Sequence, residues 1–221
     1  MSIRKKSKFV QTTFKIKKMK KVVVVVVLLL ASSIVSAQKM EIVKGDFGFL
    51  NGQTAVNIEF DYSKLTLMKE NKSEAQYISE RAADLNEKNK GVGDVWKKKW
   101  EGAKVAIWNP KFLELVNIVL VKKKKDLSFQ EDLKSAKYTL IVEATWIFPG
   151  WDAMVMKQAA KVSTNLKFVE TANRSNVVLE ITTKEAPGDQ WGNNFSNESR
   201  IGEGFAKTGK SLAGYILKNT K

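Results

Sequence analysis

Tyr138-Thr-Leu-Ile-Val-Glu-Ala-Thr-Trp-Ile-Phe148, closed by Pro149-Gly150, is apolar on both of its faces, with Leu140, Val142, Ala144 and Trp146 on one and Ile141 and Ile147 on the other. A half-exposed strand would alternate, so this run predicts a central strand covered on both sides. Just downstream, Ala160, Val162, Thr164, Leu166 and Phe168 alternate with Lys161, Ser163, Asn165 and Lys167, the two-residue period of a strand with one face in water. The polar turn Asn173-Arg174-Ser175-Asn176 leads into Val177–Thr183 as its hairpin partner, and Pro187-Gly188-Asp189 breaks that strand. A polar loop then runs to Ser199, and Ile201, Phe205, Leu212 and Ile216 mark a C-terminal helix.

Upstream, Val56, Ile58 and Phe60 alternate with Asn57, Glu59 and Asp61 as a half-buried strand, and the phase shifts at Ser63-Lys64 to Leu65 and Leu67. Ser73 and Gln76 have capping-box spacing, and Ala75, Ile78, Ala82 and Leu85 give an amphipathic helix that stops near Gly91. Asn109-Pro110 predicts the N-cap and first turn of another helix, with Phe112, Leu115, Val116 and Val119 as its stripe and Lys122–Lys125 at its C-terminal end. The resulting order is β-α-α-β-β-β-α. It predicts an α+β fold, a layered α/β arrangement in which helices pack on a mostly antiparallel sheet of four to five strands.

The charge of the 221-residue chain, 38 Lys and Arg against 23 Asp and Glu, is unevenly placed. Residues 1–37 hold nine bases and no acid, which leaves 29 bases against 23 acids in residues 38–221. A surplus of six over that length suits solubility and gives no reason to expect a nucleic-acid partner. The chain has no Cys and no His, which removes disulfides, thiolate or imidazole metal sites and nucleophile pairs built on either residue. No cofactor and no catalytic residue is predicted.

Met19-Lys20-Lys21 opens onto Val22–Leu30, all aliphatic, followed by Ala31 and then Ser32-Ser33-Ile34-Val35-Ser36-Ala37. A basic start, a short apolar core and small residues at Val35 and Ala37 make a signal peptide cleaved after Ala37. The apolar run is about half of the roughly 20 residues that span a bilayer. Residues 38–221 are then a single exported domain, in contact with membrane only during export or peripherally. Residues 1–18 are either a long n-region or precede a true start at Met19. The destination is the periplasm, the outer-membrane surface or the outside of the cell.

Gly204-Phe-Ala-Lys-Thr-Gly209-Lys210-Ser211 fits the phosphate-binding pattern G-x-x-x-x-G-K-[ST]. A phosphate loop needs a buried strand directly before the first glycine, and Asn193–Arg200 could not supply one. The apolar period from Ile201 to Ile216 also runs through the motif, so a helix with closely packed glycines is expected, and nucleotide is not. Of six Trp, packing accounts best for Trp96 and Trp100, with Lys97–Lys99 between them facing water. Trp151 and Trp191 fall in loops, where an indole can stack on a sugar ring. Asp152 and Asp189 flank them, so these four are the candidate ligand-binding residues. Glu198 and Glu203 lie near the same loops, and a glycosidase pair among these carboxylates would be a matter of spacing that sequence does not fix.

Four stretches carry a family likeness: Val56-Asn-Ile-Glu-Phe-Asp-Tyr-Ser63; Trp96-Lys-Lys-Lys-Trp100 leading to Lys111-Phe112; Tyr138–Val142 leading to Pro149-Gly150-Trp151; and Arg200–Leu217. Over nearly all of residues 38–221 these resemble uncharacterised secreted proteins of Bacteroidetes-type bacteria. The order of elements is also similar to the small α/β domain of envelope proteins of the curli-assembly and TolB N-terminal type. The resemblance implies an envelope binding or assembly role, with no catalytic residues to carry over. The sequence therefore leads to an exported, non-enzymatic envelope protein that meets another envelope component through a sheet edge or the Trp-bearing loops. The alternative is a secreted protein that binds or cleaves carbohydrate.

Overall fold

A computed structural model of the chain describes residues 38–153, 156–188 and 196–221, all within one compact unit. Residues 1–37, with the leader and Ala37, lie outside the described residues, as do Asp189 and Trp191. In chain order the strands are β1 (Lys39–Gly45), β2 (Ala55–Asp61), β3 (Thr66–Leu67), β4 (Lys72–Ser73), β5 (Ser128–Glu131), β6 (Tyr138–Phe148), β7 (Trp151–Asp152), β8 (Lys157–Gln158), β9 (Ala160–Glu170) and β10 (Asn173–Gly188). The helices are α1 (Glu74–Lys88), α2 (Val92–Ala103), α3 (Asn109–Lys122) and α4 (Asn197–Asn219).

The fold is α+β, as the periods predict, but the sheet is larger and mixed. Its eight strands run β1-β10-β9-β6-β2-β5, with β3 and β4 beside the C-terminal end of β6. The half β1-β10-β9-β6 is antiparallel, whereas β2 is parallel to both β6 and β5. The parallel half follows from the helices between β2 and β5, because neighbouring parallel strands need a long crossover. The sheet is mostly antiparallel, as expected, but it has eight strands where four to five were expected, and β2 adds a parallel portion.

Strand β6 is central, paired with β9 on one side and β2 on the other. Its Leu140, Val142, Ala144 and Ile147 join the buried core with Val162, Leu166 and Phe168 of β9 and Phe112, Val116, Phe205 and Leu212 of the helices. On the second face Ile141 and Thr145 are only half-buried, and Glu143 is covered by charged partners. The cover predicted for both faces is thus apolar on one and polar on the other. Pro187 does not end β10, which runs on to Gly188. It pairs with Lys161 beyond Lys184, where β1 has already ended, so the missing N–H falls on an unpaired side of the strand.

Ser73 caps α1 as its spacing predicts, its hydroxyl accepting from the Gln76 amide at 3.2 Å. Asn109-Pro110 opens α3 with the proline in its first turn, as predicted, but Asn109 is itself helical and is not an N-cap. A π turn, Lys104–Trp108, joins α2 to α3, and the Asn109 amide reaches back to the Lys104 carbonyl. The wider turn loosens the ladder where the proline ring would otherwise press on the preceding turn. The string Gly204–Ser211 lies inside α4, its backbone in helix rather than an open loop. A Cβ on Gly204 would stand 2.5 Å from Val162 Cγ2, and one on Gly209 would stand 2.4 Å from the Phe112 carbonyl oxygen. Both glycines therefore serve the approach of α4 to the sheet and to α3.

Candidate functional site

Four of the tryptophans pack inside the molecule. Trp96, Trp100 and Trp108 form a ladder with ring centres 5.6 and 5.2 Å apart, which ends on Phe205, stacked on Trp108 at 5.9 Å. Buried indole nitrogens need acceptors. Trp100 donates to Glu74 Oε1 at 2.9 Å, Trp108 to the Glu198 carbonyl at 2.9 Å and Trp146 to the Met68 carbonyl at 2.7 Å.

Trp151 differs. It is 42% exposed, and its ring nitrogen donates to Gln158 Oε1 at 3.0 Å. The turn that presents it requires Gly150, whose φ is +68°, and a Cβ there would stand 2.4 Å from the Gln158 carbonyl oxygen. The short β7–β8 hairpin follows, pairing Trp151 with Gln158 and Asp152 with Lys157 along the backbone.

Below Trp151 opens a cleft of about 460 Å³. Its lining comes from the turn after β6 (Phe148, Pro149 and Gly150), from Met68 and Lys72, from Asn197 and Arg200 at the start of α4, and from α1. Tyr77, Glu80, Arg81 and Asp84 reach it from α1 because their spacing of three, four and seven residues keeps them on one helical face.

Tyr77 is 9% exposed, and its ring rests on Trp96 and Trp100 at 6.0 and 5.2 Å. Burial pushes its hydroxyl up to about 12, against the opposing pull of the Arg81 charge, so it stays a hydrogen-bond donor at ordinary pH. No described residue accepts from it. Lys72 and Glu80 form an ion pair, and Gln76 donates to Glu80 at 2.8 Å. These hydrogen bonds hold the Glu80 carboxyl below its usual range. Arg200 is 5% exposed and hydrogen-bonded to Asn197. The cleft thus combines aromatic faces with hydroxyl, guanidinium and carboxylate groups, the mixture that holds a ligand bearing both apolar faces and hydroxyls.

Of the four residues singled out from sequence, Trp151 alone is seen at this cleft. Asp152 follows it in the hairpin, while Trp191 and Asp189 lie outside the described residues. Glu203 is instead paired with Lys111 at 2.8 Å, and Glu198 is 8% exposed and accepts from Ser196 at 2.6 Å. Sequence reading missed Tyr77, Glu80, Arg81, Asp84 and Arg200. A signal for the first four existed in α1, as a polar stripe containing one Tyr beside the apolar stripe, but nothing in the sequence tied it to Trp151.

No family model matches the chain, and no curated protein matches it. Among solved structures, the PelC dodecamer from Paraburkholderia phytofirmans is 11% identical, with a TM-score of 0.36 over 80% of this chain and 97% of that one. A neuraminyllactose-binding hemagglutinin homolog from Helicobacter pylori is 14% identical, with a TM-score of 0.28 over 78% of this chain and 89% of that one. Likenesses of this extent carry nothing about a site or an activity.

Proposed function

We propose that the chain is an exported, non-enzymatic envelope protein that binds a glycan in the cleft beneath Trp151. One observation carries the choice of site: the other four described tryptophans are packed, while Trp151 stands 42% exposed at the edge of a lined cleft. An indole face covers the apolar face of a sugar ring, and Tyr77, Glu80 and Asp84 supply partners for ring hydroxyls.

Export rests on the leader ending at Ala37 and on the resemblance to secreted proteins of Bacteroidetes-type bacteria. Among the described residues no helix is long and apolar enough to cross a membrane. A binding role fits a chain without His or Cys. The sheet edge is a poorer docking surface than the cleft. Strand β1 pairs irregularly between Ile42 and Lys44 and carries Lys39 and Lys44, and a bulge and lysines are both devices that discourage a further strand.

The test joins N-terminal sequencing of the exported protein to a glycan array followed by titration of intrinsic Trp fluorescence. The expected product begins at Gln38 and shows saturable quenching by an array hit, weakened at least tenfold in Trp151→Ala. A product retaining residues 22–31, or quenching unchanged in the variant, would overturn the corresponding half of the proposal.

A further inference from the structure

The 29 basic residues after residue 37 include only three arginines, Arg81, Arg174 and Arg200. Lysine supplies nearly all surface charge, so the arginines mark positions where a planar fork of donors matters. Arg174 is such a position: it grips Glu59 with two hydrogen bonds of 2.8 and 2.5 Å. Both of the others line the cleft beneath Trp151.

The charged groups of the cleft are Lys72, Glu80, Arg81, Asp84 and Arg200. Lys72 and Glu80 are paired to each other. That leaves the Arg81 guanidinium on α1 beside the single carboxylate of Asp84, because Arg200 at the start of α4 already has partners, Asn197 among them. Arg81 is half-buried and makes no hydrogen bond or ion pair to any described residue, although Asp84 stands one helical turn away. Its fork is therefore open toward the cleft, with the Tyr77 hydroxyl on the preceding turn as a further donor.

Guanidinium and carboxylate match in shape, each presenting two parallel positions for hydrogen bonds. We propose that the glycan is acidic, its sugar ring lying against Trp151 and its carboxylate received by Arg81. This rests on the reading of the cleft as a glycan site. It adds that the ligand class is carboxylate-bearing saccharides, uronic-acid oligomers among them, rather than neutral saccharides.

The exported protein is titrated with tetragalacturonic acid and with the same oligomer after reduction of its carboxyl groups, by calorimetry and Trp fluorescence. The acidic oligomer is expected to bind at least tenfold more tightly. Arg81→Gln should abolish that preference, bringing the affinity for the acidic oligomer down to that for the neutral one. Near-UV circular dichroism of the variant checks that the aromatic ladder under Tyr77 is intact. Equal affinity for both oligomers in the unmodified protein would overturn the acidic assignment and leave the glycan site standing. Undiminished preference in Arg81→Gln would remove Arg81 from the role. Binding of neither oligomer would overturn the glycan reading of the cleft together with this inference.

Discussion

Glu143 sits in the middle of β6, 4% exposed, with the amino groups of Lys64 and Lys167 at 2.8 and 2.9 Å and the Asn165 amide at 3.2 Å. Burial pushes its carboxyl up, but the hydrogen bonds from Lys64, Lys167 and Asn165 together outweigh burial and hold it at about 2. The folded value lies below the ordinary 4.5, so the ionised form stabilises the fold above pH 4.5, and that contribution fades as the pH falls toward 2. Glu143→Gln is expected to cost on the order of 2 kcal/mol at pH 7. Urea unfolding at a series of pH values should show the gap from the parent closing below pH 4.5. A gap independent of pH would mean that the shape of the side chain, and not its charge, is what counts. The sequence shows this residue plainly, as a single acid in an apolar strand. Its partners come from β9 and from the turn before β3, and only the strand register brings them together.

Elements were legible where a period was long and one-sided. The alternation of β9 and the apolar stripe of α4 predict both elements and their buried faces. The edges were not legible, for a physical reason: six of the seven residues of β1 are exposed, and in β5 only Phe129 is buried, so neither strand has a face for burial to pattern. Pro110 marked the first turn of α3 correctly, but the π turn that joins α3 to α2 in place of an N-cap was not legible, because no local residue pattern announces that turn. The glycines of α4 give a test at this scale. Gly209→Ala would press a Cβ to 2.4 Å from the Phe112 carbonyl oxygen and is expected to destabilise by about 1–3 kcal/mol. Gly214→Ala, with nothing within 4 Å, should stabilise by about 0.5–1 kcal/mol through helix propensity. Thermal unfolding of the two variants compares them directly, and equal effects would contradict the close approach of α4 to α3.

At the scale of the whole molecule, the cleft is assembled from segments far apart in the chain: the β3–β4 turn, α1, the end of β6 with its Gly150 turn, and the first turn of α4. Trp151 was expected in a loop and in fact begins the short strand β7, while the scarcity of arginine was countable. That two of three arginines converge under that tryptophan is a product of topology, since β3 and the end of β6 run side by side only because β2 and β6 are parallel neighbours. The measurement that bears most directly on the account is a crystal structure of residues 38–221 grown with tetragalacturonic acid. The expected result is a sugar ring against the Trp151 indole and a carboxylate on the Arg81 guanidinium. An oligomer bound elsewhere on the surface, with the Trp151 cleft empty, would contradict it.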